Sequence, residues 1–254
     1  MVSAPLVVSL SGGKDSTAML LMMLERGEAI HSVVYFDAGE WEFPQMHEHI
    51  DRLEEYVGMK FVRLHPNRPF VDSMLNKEVR ARGQKDGPVK FLGWGWPSPL
   101  RRWCTREKSD TIDKWTKENV GEYVSCIGFA DDEQKRAESA NIRGKKMPTR
   151  FPLIEYGVTE KDALAYSIAN GFTWGGLYDH FSRVSCFCCP LKSLKELSKL
   201  RRHFPDLWSK MLRWEQAMNR PWEYRRFHHK ASVRDLDARF REEDRQLKLP
   251  GVAA

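Results

Sequence analysis

Six consecutive residues, Ser11-Gly12-Gly13-Lys14-Asp15-Ser16, carry the groups needed to grip a chain of phosphates. Gly12 and Gly13 have no Cβ, so backbone N–H groups there can approach phosphate oxygens closely. Ser11 and Ser16 add hydroxyl donors, and Lys14 can neutralise the charge that builds on a departing pyrophosphate. The apolar run Leu6 to Leu10 leads into this turn, and a stretch rich in Leu and Met, Thr17 to Glu25, leads out of it. A buried strand, a tight turn and a helix starting at the turn make an anion site, because the helix N-terminus carries partial positive charge. The spacing is neither the Gly-x-x-x-x-Gly-Lys of the Walker loop nor the Gly-x-Gly-x-x-Gly of dinucleotide folds, which sets those two classes aside.

The cysteines are the second chemical feature. There are five, Cys104, Cys126, Cys186, Cys188 and Cys189, with three crowded into Cys186-Phe187-Cys188-Cys189-Pro190. An odd number with no secretion signal argues against a disulfide framework. The crowding points to a metal, and thiolates suit either zinc or an iron-sulfur cluster. Cys126 lies inside an apolar run and reads as a buried thiol.

The elements that would position these groups alternate. Strands are expected at Leu6 to Leu10, Ile30 to Phe36, Lys60 to Leu64 and Glu122 to Phe129. Helices are expected between them, one with Met46, Ile50, Leu53 and Val57 on a single side and one over Glu107 to Glu118. That alternation implies a parallel sheet covered by helices. Thr159, with Asp162 three residues on, reads as the cap of a further helix. Gly83 to Pro99, with Trp94 and Trp96, reads as a long ordered loop or an insertion, and packing beneath it is favoured over stacking on a base for Trp94, Trp96 and Trp103. Arg143 to Pro148 is a basic connecting stretch, His228-His229 a pair in a basic helix, and the chain from Leu191 onward a broken run of helices.

With 254 residues, 41% hydrophobic and 30% charged, the chain can build one α/β core with an appendage. The expected division is a nucleotide-binding domain over 1–190, containing the cysteines, and a basic helical extension over 191–254. The net charge of +6 sits largely in clusters after Lys192, such as Arg201-Arg202 and Arg225-Arg226, which makes phosphate-rich partners plausible. No apolar run reaches the roughly 18–20 residues of a membrane span, so a soluble, cytoplasmic protein is expected.

Taken together, the chain resembles the phosphoadenylylsulfate (PAPS) reductase branch of the PP-loop ATP pyrophosphatases, the adenine nucleotide alpha hydrolase superfamily. That branch carries Ser-Gly-Gly-Lys-Asp-Ser at this place and an Asp-Thr-Gly-x-x-Phe-Pro segment, here Asp37-Ala38-Gly39-Glu40-Trp41-Glu42-Phe43-Pro44. Its Arg-x-Cys segment stands as Arg102-Trp103-Cys104, and its later arginine-rich stretch resembles Gly128 to Arg136, with Ala130 at the place of an arginine. Pro152-Leu153, Leu177-Tyr178 and Ser185 to Cys189 complete the likeness, which covers Pro5 to Leu191. The resemblance implies a doubly wound, mainly parallel α/β sheet with a C-terminal helical extension, and a nucleotide at the carboxyl ends of the strands. On that footing Asp37 and Gly39 line the adenosine side, Gly128 packs against the nucleotide, and Asp15 or Asp132 helps to hold Mg²⁺. Cys104, Cys186, Cys188 and Cys189 become the ligands of a [4Fe-4S] cluster, with zinc as the competing reading. Cys188 departs from the resemblance, because relatives have Cys-x-x-Cys there and a Cys-Cys pair where Cys104-Thr105 stands.

Reductases of this branch use a cysteine on a C-terminal tail, whereas this sequence has none after Cys189. The expected activity is therefore ATP-dependent adenylation of an acceptor with release of pyrophosphate, with Lys14 and Asp15 as the catalytic pair. Sulfur transfer to tRNA or DNA, with a sulfur-donor protein as partner, is the expected setting. A sulfonucleotide reductase and a nucleotide-binding subunit without turnover are the alternatives.

Overall fold

Leu6–Leu10, apolar and β-branched at Val7 and Val8, becomes β1, the central strand of a parallel sheet, as an apolar run buried on both faces should. The computed structural model describes residues 4–246 apart from 82, 84–85, 143–147 and 222–224. The basic stretch expected from Arg143 thus lies, up to residue 147, outside the described residues. In chain order the first elements are β1, α1 (Lys14–Glu25), β2 (Ile30–Phe36), α2 (Pro44–Val57), β3 (Val62–Leu64), α3 (Phe70–Leu75), β4 (Glu78–Arg80) and β5 (Val89–Leu92). They are followed by α4 (Trp103–Asn119), β6 (Val124–Ile127), α5 (Gln134–Ile142), β7 (Thr149–Arg150), α6 (Pro152–Glu155), α7 (Glu160–Ala169) and α8 (Leu177–His180). The described residues close with α9 (Leu194–His203), α10 (Pro205–Ala217) and α11 (Val233–Gln246).

Contacts divide the chain into two compact units. The first takes the described residues of Met1–Ala38, Glu42–Pro66 and Glu107–Ser185 and holds a five-stranded sheet of order β3-β2-β1-β6-β7, in which every neighbouring pair is parallel. Val8 sits between Val33 and Cys126 in register. One sheet face carries Val7 and Val34, packed with Tyr123 against Ile112 and Trp115 of α4. Helix α1 is anchored by Thr17, whose hydroxyl meets buried His49 Nε2 at 3.0 Å, and His49 in turn stacks on Trp174 at 4.5 Å. The chain leaves β1 toward β2 and β3 on one side and returns to β6 and β7 on the other. Strand order therefore reverses between β1 and β6, the place where open α/β sheets bind ligands at the strands' carboxyl ends. This is the α/β sheet flanked by helices that the alternation implies.

The second unit takes Gly39–Trp41, Asn67–Arg106 and the described residues of Cys186–Ala254. Gly83 to Pro99 is not simply a loop: Val89–Leu92 pairs antiparallel with Glu78–Arg80, a ribbon too short and too polar to show in the hydrophobic pattern. Trp96 and Trp103 are buried in it, and Trp41 packs on Phe70, Trp96 and Trp103 at centroid distances of 5.1, 6.4 and 5.3 Å. His228-His229 is not helical either. His228 bridges Ala231 in a tight turn with His229 at φ 52°.

Candidate functional site

Two glycines, Gly12 inside the phosphate turn and Gly128 beside it, are required for different reasons. Gly12 has φ +77°, and a Cβ there would lie 2.8 Å from Met46 Cε. Gly128, at the end of β6, lies so close to the start of α1 that a Cβ would sit 2.9 Å from Ser16 Cα and 3.0 Å from its nitrogen. The carboxyl ends of β1 and β6 thus meet at the turn, and the structure brings Ser11, Gly12, Gly13, Lys14, Asp15, Ser16 and Gly128 together. Inside the turn Ser11 Oγ lies 2.9 Å from Ser16 Oγ, and the Ser16 hydroxyl donates to Gly13 O at 3.1 Å. Gly13 caps α1 without a side-chain acceptor. The N–H groups of Asp15 and Ser16 have no partner among the described residues, which leaves two aligned donors at a helix N-terminus.

Of the residues that hold this turn, Tyr178 belongs to the Leu177-Tyr178 likeness, whereas Trp174 and Glu160 carry no signal in the sequence. Lys14 N–H donates to the Tyr178 hydroxyl at 2.7 Å, and the Trp174 indole N–H donates to Gly12 O at 2.7 Å. Burial pushes the Tyr178 phenol well above its ordinary range, so it stays neutral. Lys14 is buried, with its ammonium 2.6 Å from Glu160 Oε2 and 3.0 Å from Asp15 Oδ1. Burial raises the Asp15 carboxyl, and the Lys14 charge only partly offsets it. Burial also acts on Glu160, but the bond to Lys14 and the charge of Arg183 outweigh it and hold that carboxyl low. Glu160 reaches the turn because α7 packs on α1, and its helix is capped as expected by Thr159 and Asp162. Asp132 accepts from the Glu160 N–H at 3.1 Å, so it acts here as a cap.

The other expected positions are distributed differently. Asp37 closes β2, with its N–H bonded to Leu64 O at 2.8 Å and its carboxylate near His47, His65 and Glu42. Gly39 belongs to the second unit, with φ +60° and open space around it.

All four expected metal-binding cysteines fall in the second unit. Cys188 is fully buried, and its thiol is pushed up by burial and by the neighbouring Cys186, Cys189 and Cys104. Burial raises Cys104 too, and Cys189 adds to it. Trp41 links the two halves of this set: its carbonyl accepts from Phe187 N–H at 2.9 Å, and its ring packs on Trp103 beside Cys104. The Trp41 indole N–H is buried without a partner among the described residues. Lys192, also buried, lies close enough to Cys189, Cys186 and Cys188 to feel their charge. Among the described residues, the ligand atoms that converge within 4.8 Å of one another belong to Asp37, Glu42 and His47 rather than to the cysteines. Cys126 sits apart in β6, buried, with its thiol pushed up to about 11.

A parallel α/β sheet with this phosphate turn at its switch point defines a PP-loop nucleotide-binding protein. The phosphoadenosine phosphosulfate reductase domain matches residues 5–192, and the chain belongs to that family. It is also 27% identical over 225 residues to an uncharacterised protein of Methanocaldococcus jannaschii, a match covering 85% of this chain and 42% of the relative. The chain thus spans less than half the length of that relative. No helix among the described residues is long and apolar enough to cross a membrane.

Proposed function

We propose that the chain binds ATP at the turn between β1 and α1 and adenylates an acceptor with release of pyrophosphate. The observation that carries this reading is the pair of unpartnered N–H groups, Asp15 and Ser16, beside the buried Lys14 at the strand-order reversal. In the reaction an acceptor oxygen attacks the α-phosphorus, the bond to the β-phosphate oxygen breaks, and pyrophosphate leaves. Lys14 exchanges its bond to Glu160 for the leaving phosphates, and Ser11, Gly12, Gly13 and Ser16 cradle them. Gly128 and Asp37 flank the nucleoside, and Asp15 holds Mg²⁺, a role a carboxylate suits. Pyrophosphate and AMP release from ATP tests the reading directly. Lys14→Ala should cut turnover by about a hundredfold, since comparable electrostatic donors contribute 10²–10³. Nucleotide bound by the wild type but never cleaved would leave only a binding subunit.

In the same reading Cys104, Cys186, Cys188 and Cys189 hold a [4Fe-4S] cluster. The same four thiolates also suit a single zinc ion, the competing reading. The unpartnered Trp41 N–H supplies a donor of the kind that tunes cluster sulfurs. When bound, such a group supplies sulfur or electron chemistry. Iron and sulfide assays on protein purified without oxygen test this, and zinc alone would remove the cluster.

The acceptor in this proposal is tRNA or DNA, with a sulfur-donor protein as partner. It is supported by a groove of about 360 Å³ on α9 and α11 lined by Lys195 and Lys199, together with Arg202 and Arg239, which pair with Asp244 and Glu243. A sulfonucleotide reductase stays as the second reading on the strength of the family and the cysteines together. Sulfite release from an adenylyl sulfate would establish it.

A further inference from the structure

We infer that Asp37, Glu42 and His47, with His65 beside the second Asp37 oxygen, form a binding site for a divalent first-row transition metal ion at the carboxyl end of β2. One ligand atom from each of Asp37, Glu42 and His47 lies within 4.8 Å of the others. His47 Nδ1 is 3.8 Å from Asp37 Oδ1, and His65 Nδ1 is 3.7 Å from Asp37 Oδ2. Both separations exceed the roughly 2.7–3.2 Å of a hydrogen bond. They lie close instead to the spacing of two ligands on one ion, about 3.4 Å for tetrahedral bonds of about 2.1 Å.

The donors come from three segments that the fold fixes against one another. Asp37 ends β2, and its N–H bond to Leu64 O sets it beside β3, so His65 follows at the same sheet edge. Glu42 precedes α2 and His47 lies in its first turns. Glu42 is held from behind by the Tyr35 hydroxyl and by the Ala38 N–H at 3.4 Å, the kind of outer support that ligating carboxylates receive. Two carboxylates held this close repel. A dication between the carboxylates removes the conflict. Mixed imidazole and carboxylate donors suit Mn²⁺, Fe²⁺, Co²⁺ or Zn²⁺ better than an all-oxygen cage would, and differ from the soft thiolates of the cysteine set. Such an ion would pin the connection from β2 to α2. The inference does not depend on the ATP reading.

Mn²⁺ is the probe of choice because it favours oxygen and nitrogen donors and binds thiolates poorly. Added to the full chain without nucleotide, it should lose its free-ion electron paramagnetic resonance signal up to about one equivalent. His47→Gln and His65→Gln, whose parent side chains are 39% and 62% exposed and so tolerate replacement, should each weaken binding at least about tenfold with unchanged melting temperature. Absence of Mn²⁺ binding would overturn the inference. So would binding that both variants keep, or binding lost on Cys104→Ser, since that ion would sit elsewhere. ATP binding measured on the same variants is a separate readout, so failure of the phosphate turn would not be mistaken for failure of the metal site.

Discussion

His49 shows how a single buried group can govern the pH response. Burial, helped by the charge of Arg52, lowers its pKa from 6.5 to about 3, so the folded protein keeps it neutral. Below 6.5 the unfolded chain takes up a proton that the native state refuses until about pH 3. Its stabilising contribution is therefore complete above 6.5 and declines as pH falls, by about 1.4 kcal/mol per pH unit. Asp15 and Glu42, with raised carboxyls, push the opposite way at lower pH. Comparing urea unfolding of wild type and His49→Leu at about pH 7 and about pH 5 isolates the histidine. The variant should lose less stability between the two, and equal losses would mean that native His49 is protonated. Nothing in the spacing around His49 announces this role, because its partners Thr17 and Trp174 are remote in sequence. Glu160 is hidden for the same reason, lying 146 residues from Lys14.

At the scale of elements, the phosphate turn depends on what packs around it. Gly128→Ala would drive a methyl group into the Ser16 backbone, and relief requires β6 and α1 to part. A loss of about 1–3 kcal/mol is expected from such overpacking, read as a lower melting temperature together with weaker ATP binding. Tyr178→Phe leaves the Lys14 N–H without its acceptor, an expected cost of about 1–3 kcal/mol. A melting temperature equal to wild type would show that water replaces the hydroxyl. Strands β1 and β2 and helix α2 were legible as elements because their apolar residues recur at strand or helix spacing. The β4–β5 ribbon was not, since Glu78–Arg80 and Val89–Leu92 alternate too briefly to stand out from their Gly- and Pro-rich surroundings.

Across the whole molecule, the net charge of +6 overstates the basic surface that is free to act. Arg201 bonds Asp237 and Asp244, Arg202 bonds Asp244, Arg241 bonds Asp237, and Arg225 donates to the carbonyls of Arg220 and Glu215. Lys195 and Lys199 show no ion pair among the described residues. If nucleic acid binds here, Lys195→Glu with Lys199→Glu should weaken it and lower the slope of log affinity against log salt by about 1–2. A slope that stays the same would place binding elsewhere. The sequence alone determined the chemistry of the phosphate turn and the sheet around it, because both depend on neighbours in the chain: glycines beside a lysine, and apolar runs at regular intervals. It also marked the cysteines as a set. Tertiary structure decided which counter-ions hold Lys14, which aromatic groups clamp the turn and which arginines are already paired. It also brought Asp37, Glu42, His47 and His65 to one edge of the sheet. Those outcomes rest on contacts between segments far apart in sequence, whose energies no local spacing encodes.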